Sequence, residues 1–204
     1  MNFMSVSDKA VAELIRNYEA LKKEVDRLKT REFGGILLWE EKLAAPNTRF
    51  LIPIARSEFK VLTIMGSLST DRASATDRAV LQINGLVGAN YDYQSLITSG
   101  ATSTAAETLG ATGWYHTYTT GAIATAGLFG TFRTNIMDYA DATKFPTYLS
   151  YGYQAYANAA GNHAIYHFAG KYRGAVAVNY LKIFPAIGVN FITGSWIRVY
   201  GDKG

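Results

Sequence analysis

The sequence predicts a mainly β protein, an antiparallel β-sandwich of jelly-roll-like form that follows a short N-terminal coiled-coil helix. Near the N-terminus, apolar residues recur at spacings of three and four. From residue 34 onward the 204-residue chain becomes rich in Gly, Ala, Thr, Ser and Tyr. Short apolar runs then recur at regular spacing, separated by turn residues, as in a sandwich of short strands. We therefore expect two domains, a helix in residues 1–33 and a sandwich in residues 34–204.

The helical segment carries an apolar seam with a period of 3.5 residues. Such a seam stays in line when helices wind around each other, so it predicts an oligomer. Glu24 and Lys29 fall at positions that allow ion pairs between parallel helices. A helix folded back on its own domain is the alternative, and the seam alone leaves two or three strands open. The predicted oligomerisation residues are Val11, Leu14, Tyr18, Leu21, Val25 and Leu28.

The sandwich strands are predicted in order along the chain. Pro53 lacks an amide donor, so its strand is expected at a sheet edge or a bulge. The pair Asn84-Gly85 predicts a tight turn. Residues 98–113 hold almost nothing to bury and predict a long exposed loop. Strands are expected at residues 36–39, 50–54, 59–65, 80–84, 91–96, 114–118, 128–136, 147–157, 164–169, 175–183 and 195–200.

Composition excludes several classes of partner and chemistry. The net charge of +4 comes from dispersed Lys and Arg, which does not indicate nucleic-acid binding. The absence of cysteine excludes disulfides and thiolate metal sites. The sequence has no apolar run of bilayer length and no signal-peptide pattern, so membrane insertion is not expected. We expect a chain made in the cytoplasm, with no cofactor.

Catalytic patterns are weak. His163 and His167 could ligate a metal from one face of a helix, but in a strand their rings would lie about 13 Å apart. Glycosidase chemistry needs two converging carboxylates, which a linear sequence cannot demonstrate. The common nucleophile, phosphate-loop and dinucleotide motifs do not occur. We therefore expect neither an enzyme nor a metal site. The carboxylate candidates were Glu40, Glu41, Glu58, Asp138 and Asp141.

Candidate ligand-binding residues are the aromatic side chains Trp114, Tyr115 and Tyr118, which directly follow the predicted loop. A ring face can stack on sugar C–H groups while a hydroxyl forms hydrogen bonds. The alternative is that all three are ordinary strand aromatics. In the 69–77 segment, Asp71 and Asp77 could chelate calcium, or could pair with the neighbouring Arg72 and Arg78.

Three stretches of the body resemble a β-sandwich module found in virion proteins of tailed bacteriophages. They are residues 69–77 with 81–85 and 88–92, residues 132–136 with 138–140, and residues 183–185 with 188–191, 193–195 and 197–201. The resemblance implies a trimer on the virion surface, of the tail-fibre, minor-tail or head-appendage type. It favours three strands for the coiled coil.

We therefore expect a non-enzymatic homotrimeric tail fibre or receptor-binding appendage of a virion. Three weak contacts at fixed spacing would give strong attachment through avidity. Its expected partners are other virion proteins, through the N-terminal region, and host-surface carbohydrate or protein. A capsid-decorating or head-fibre protein is the alternative, and a polysaccharide depolymerase is a further one.

Overall fold

The computed structural model describes residues 13, 15–19, 22, 35–55, 57–155 and 163–203. Residues 13, 15–19 and 22 are helical, as the heptad pattern predicts. The described body consists of twelve strands: β1 (Ile36–Lys42), β2 (Phe50–Pro53), β3 (Val61–Leu68), β4 (Thr76–Ile83), β5 (Tyr91–Ser99), β6 (Thr102–Ala111), β7 (Trp114–Thr120), β8 (Gly130–Met137), β9 (Thr147–Ala155), β10 (His163–Tyr172), β11 (Tyr180–Pro185) and β12 (Trp196–Asp202).

The strands form two antiparallel sheets of unequal size. The larger has eight strands in the order β1-β12-β3-β8-β9-β10-β5-β6, and the smaller has four in the order β2-β11-β4-β7. The mainly-β sandwich is thus confirmed. Pro53 ends β2, which is an edge strand of the smaller sheet as its missing amide requires. Asn84 and Gly85 have φ of 50° and 62°, the left-handed values of a tight turn.

The predicted loop at residues 98–113 is wrong. Residues 102–111 form β6, which pairs along its length with β5. Its side chains are mostly exposed and small, so no apolar alternation marks it as a strand. Main-chain pairing with β5 orders this segment, and burial contributes little. A strand of that kind leaves almost no signal in the sequence.

The core lies between the two sheets, where alternate residues of each strand point inward. Ile64 of β3, Leu81 of β4 and Ile183 of β11 have no exposed surface. β7 packs across the gap against β8, β9 and β10. The other face of the larger sheet points away from this core and carries the half-buried and exposed positions of each strand.

Two inward tyrosines lie over glycines of the neighbouring strand. Tyr148 pairs in register with Gly170, and Tyr166 pairs with Gly152. A Cβ added at Gly170 would lie 2.8 Å from Tyr148 Cε1, and one added at Gly152 would lie 2.6 Å from Tyr166 Cζ. The glycines therefore give the rings room to lie flat on the sheet.

Candidate binding face

The outer face of the eight-stranded sheet brings together an exposed group of apolar, aromatic and basic side chains. One row runs straight across five neighbouring strands, because each residue pairs in register with the next. It holds Met65, Arg133, Tyr151, His167 and Leu96, from β3, β8, β9, β10 and β5.

A second row lies two residues further along each strand, on the same face. It pairs Thr131 with Tyr153, Tyr153 with Ile165, and Ile165 with Thr98. Side chains two residues apart in a strand share a face, so the two rows form one surface. We call this surface the outer patch and define it as Leu96, Arg133, Tyr151, Tyr153, Ile165 and His167.

The rings and aliphatic groups of the outer patch are open to solvent. Tyr151 is 38% exposed, Tyr153 46%, Ile165 49% and Leu96 48%. The Tyr151 ring lies 6.4 Å from the His167 ring, with 30° between their planes. The Tyr153 ring lies 6.1 Å from the His163 ring, at 29°. A contiguous exposed surface of large apolar side chains on a rigid sheet is typical of an interaction site.

Two shallow depressions follow the outer patch. The first, of about 510 Å³, is lined by Arg133, Tyr151, Tyr153 and Ile165 among others. The second, of about 570 Å³, is lined by Leu96 with neighbouring β5, β6, β9 and β10 residues. His167 lines both depressions.

Charged side chains on this face form two ion pairs, and Glu107 of β6 lines the second depression. Arg198 of β12 pairs with Glu40 of β1, with 2.8 Å between Nε and Oε1. At the other side Arg173 pairs with Asp92 at 2.7 Å, and the guanidinium holds the pKa of Asp92 below its ordinary value. Arg133 lies between these pairs, and no salt bridge joins it to a described residue.

Trp114 is not available to a surface ligand, which corrects its prediction as a binding residue. The indole has no exposed area. It stacks on Tyr148 with ring centroids 4.5 Å apart and packs edge-on against Tyr91 at 5.2 Å. Both of these tyrosines belong to the eight-stranded sheet, which covers the indole. It is therefore a core side chain.

Tyr115 and Tyr118 are half-buried on β7. The Arg78 guanidinium lies over both rings, 4.9 Å and 5.1 Å from their centroids. A cation in this position occupies a ring face that a sugar would otherwise use. The prediction that the two tyrosines bind a ligand stays a prediction, and the structure does not place either of them in the outer patch.

The histidines lie where a strand places them. His163 and His167 share the outer face of β10, and each is exposed beside a tyrosine ring. His116 is fully buried, and burial lowers the pKa of its imidazole to about 3. In the described parts of the chain, no group of three or more His, Asp or Glu side chains is placed to hold a metal ion.

The carboxylates of Asp71 and Asp77 accept hydrogen bonds from backbone amides of the 188–190 loop. Asp71 Oδ1 accepts hydrogen bonds from the amides of Val189 and Asn190 at 2.7 Å and 3.0 Å. Asp77 is buried, and its Oδ2 accepts from the Gly188 amide at 2.9 Å. The oxygens that calcium would need are engaged by N–H donors, which gives both residues a structural role.

Three of the predicted carboxylates are held in ion pairs. Glu40 pairs with Arg198, while Asp138 and Asp141 share Lys144, at 3.1 Å and 3.7 Å. The prediction that the chain is not an enzyme stays a prediction.

The predicted coiled-coil seam falls mostly outside the described residues. Val11, Leu14, Leu21, Val25 and Leu28 all lie there. Tyr18 is described and helical, with 66% of its surface exposed in the single chain. Among the described residues, no helix is both long and apolar enough to cross a bilayer. The oligomeric interface stays a prediction.

Comparison with known proteins found only weak structural similarities. No family model and no curated protein matches the chain. The Caenorhabditis elegans galectin LEC-6 is similar at 12% identity and a TM-score of 0.30, over 79% of this chain and 94% of the galectin. The CBM2 module of the evolved Dit of Lactobacillus casei BL23 phage J-1 is similar at 9% identity and a TM-score of 0.18, over 82% of this chain and 80% of the module.

A Bacteroides ovatus protein of a xyloglucan locus, GH43B, is similar at 14% identity and a TM-score of 0.30. The match covers 74% of this chain and 28% of that one. At such identities and scores, none of these similarities assigns a family, a ligand or an activity to this chain.

Sequence reasoning missed Arg133, Tyr151 and Tyr153 as members of a site. The missed signal is in β9, where the outward residues Leu149, Tyr151 and Tyr153 are larger and more apolar than the inward residues Ser150, Gly152 and Gln154. A strand that turns such side chains away from the core exposes them to a partner.

Proposed function

We propose that the protein is a non-enzymatic attachment protein of a tailed-bacteriophage virion, and that it binds carbohydrate through the outer patch. The observation that carries the proposal is the exposed aromatic surface on a rigid sheet. Tyr151 and Tyr153 are held by pairing on both sides, with β8 and β10, so their backbone positions do not depend on a loop. A preorganised site loses little conformational freedom on binding.

The mix of side chains suits a sugar. The two tyrosine rings offer flat apolar faces for C–H groups, and each carries a hydroxyl that can form hydrogen bonds. Thr131, His167 and Arg133 add polar groups at the border of the same depression. A ligand that is apolar on its ring faces and polar at its rim fits this arrangement.

Glu40, Asp138 and Asp141 are each engaged by a neighbouring cation, which supports attachment without cleavage. We therefore propose that the ligand is held and released unchanged.

We propose that three copies assemble through the N-terminal coiled coil. The support is the 3.5-residue apolar seam together with the resemblance of the body to virion modules. Three outer patches at fixed spacing would raise the effective concentration of each site against a repetitive surface. The N-terminal helices would contact other virion proteins, and the sandwiches would face the host.

Binding to host-cell polysaccharide by the full chain tests the proposal. We expect Tyr151→Ala/Tyr153→Ala to weaken binding at least tenfold in biolayer interferometry, because both stacking faces are lost. The matched control is Leu51→Ala on the four-stranded sheet, since Leu51 is 51% exposed and lies on the opposite side of the sandwich. Equal binding by the double variant and the control would overturn the site.

Light scattering tests the assembly. We expect three times the chain mass for the full chain, and a lower mass for Leu14→Asp/Leu21→Asp, which places charges in the apolar seam. Arg16→Asp/Lys23→Asp is the control, because those residues lie away from the seam in the heptad pattern. A monomeric full chain would exclude the coiled coil. Antibody labelling of virions then locates the protein, and label on the capsid would contradict the tail assignment.

A further inference from the structure

Arg133 is a cation at the centre of the outer patch with no anionic partner among the described residues. It lies on the middle strand β8, between Met65 of β3 and Tyr151 of β9. Its Nε is buried and has no hydrogen-bond partner among the described residues. The side chain as a whole is half-buried and lines the first depression, so the other guanidinium N–H groups are the donors that a ligand acceptor can reach.

Three other arginines of the body have an anionic partner. Arg198 pairs with Glu40, Arg173 with Asp92, and Arg72 with Asp77 at 3.9 Å. The segment 156–162, which follows β9, contains no charged residue in the sequence and cannot supply a carboxylate. The acceptor for Arg133 is therefore expected from outside this part of the chain.

We infer that the outer patch takes a carboxylated sugar, with the carboxylate on Arg133 and the sugar ring on Tyr151 or Tyr153. The inference rests on the proposed function and names its ligand class. A guanidinium fork matches the two oxygens of a carboxylate. Arg133 and both tyrosines line the same depression, so one acidic residue of a polysaccharide can reach all three.

A carboxylate fits better than a phosphate monoester. Arg133 offers one positive charge, and the next arginine in the row, Arg198, is already engaged by Glu40. A phosphate monoester carries close to two negative charges and is usually bound by several cations or by backbone amides. The singly charged carboxylate balances the single guanidinium.

The experiment compares acidic polysaccharides with their carboxyl-reduced forms. Immobilised polygalacturonate, alginate, hyaluronate and polysialic acid are each presented beside the neutral product of carboxyl reduction. We expect the full chain to bind at least one acidic polymer at least tenfold more tightly than its reduced form. We expect that preference to disappear in Arg133→Gln and to be partly kept in Arg133→Lys, which retains the charge without the fork.

Arg49→Gln is the matched control, because it removes one exposed positive charge beside β2 of the opposite sheet. An equal loss in Arg49→Gln would mean a net-charge effect and would overturn the inference. So would equal binding of acidic and reduced polymers, or a preference for a ribitol-phosphate polymer. Tyrosine-dependent binding of neutral polymers would overturn the inference and leave the proposed function standing. Binding to no polysaccharide would overturn both. Circular dichroism verifies that each variant is folded.

Discussion

The two faces of β9 and β10 carry the same kind of residue in opposite roles. Tyr148 and Tyr166 point inward and are almost completely buried, whereas Tyr151 and Tyr153 point outward and are 38% and 46% exposed. Burial raises the pKa of both inner tyrosines well above the ordinary value. The difference between the two pairs comes from the four-stranded sheet, which covers one face of the strands and leaves the other open.

The inner hydroxyls serve the edge of that smaller sheet. β7 is an edge strand, so some of its carbonyl oxygens have no strand partner. The Tyr148 hydroxyl donates to the carbonyl of Tyr115 at 2.7 Å. Gln154 Nε2 donates to the carbonyl of Thr119 at 2.6 Å, and the Ser150 hydroxyl donates to that of His116. Polar side chains of β9 thus close an edge that a purely apolar core would leave unsatisfied.

The outer hydroxyls have no such task. No hydrogen bond joins the side chain of Tyr151 or Tyr153 to another described residue, and each ring lies beside a histidine ring. A tyrosine that contributes little to folding is free to serve binding. The comparison therefore predicts that stability and binding separate cleanly between the two faces.

The largest expected effect is on stability, from Tyr148→Ala. Removing this buried ring leaves a cavity beside Trp114 and exposes Gly170, so we expect a loss of about 3–5 kcal/mol in the free energy of unfolding. Tyr151→Ala, three residues along the same strand, should cost less than about 1 kcal/mol. Urea unfolding at one protein concentration measures both. Similar losses at the two positions would contradict the division between faces.

His116 gives a smaller, pH-dependent effect on the inner face. In the unfolded chain its imidazole titrates near 6.5, whereas burial lowers the pKa in the folded chain to about 3. Between these values the unfolded state binds a proton that the folded state excludes. The free energy of unfolding therefore falls as pH falls from about 6.5 towards 3, by about 2 kcal/mol at pH 5.

The test is the change in unfolding free energy between pH 7.5 and pH 5. His116→Asn removes the titrating group, so we expect the variant to lose about 2 kcal/mol less than the parent chain over this interval. Its stability at pH 7.5 should be lower, because the imidazole packs edge-on against Phe132 at 4.9 Å. His167→Asn is the control, because it removes an imidazole from the exposed outer face and not from the core. Identical pH dependence in all three chains would refute the role of burial.

The sequence was informative wherever burial alternates or a turn needs a special residue. Alternating Phe50 and Ile52, the edge position of Pro53 and the turn at Asn84 were all predicted correctly. The strand β6 was not predicted, because side chains on both of its faces are exposed. Main-chain pairing with β5 orders this strand. Hydrophobic periodicity reflects the burial of one face, so it cannot reveal a strand with almost no buried side chains.

The candidate site was harder to predict, because it depends on register across neighbouring strands. Arg133, Tyr151 and His167 come from three strands and meet through pairing that a linear pattern does not encode. The sequence predicts Trp114 as a surface aromatic because it follows a segment rich in small polar residues. Its position opposite Tyr148 in the core is a contact between sheets, which sequence spacing leaves undetermined.

The smallest expected effects come from removing one tyrosine hydroxyl from each face. This pair of changes gives the sharpest comparison of the two faces. The Tyr166 hydroxyl lies 2.6 Å from Thr117 Oγ1 and 2.9 Å from the carbonyl oxygen of Thr131. Tyr166→Phe leaves these groups short of a partner in the core, so we expect a loss of about 1–2 kcal/mol in unfolding free energy and unchanged polysaccharide binding. Tyr153→Phe should leave stability within about 0.5 kcal/mol and weaken binding several-fold, because its hydroxyl is available only to a ligand. Urea unfolding and biolayer interferometry on the same two preparations give the four values. If Tyr153→Phe lowers stability as much as Tyr166→Phe, the outer tyrosines belong to the folding of the sandwich and the binding site must lie elsewhere.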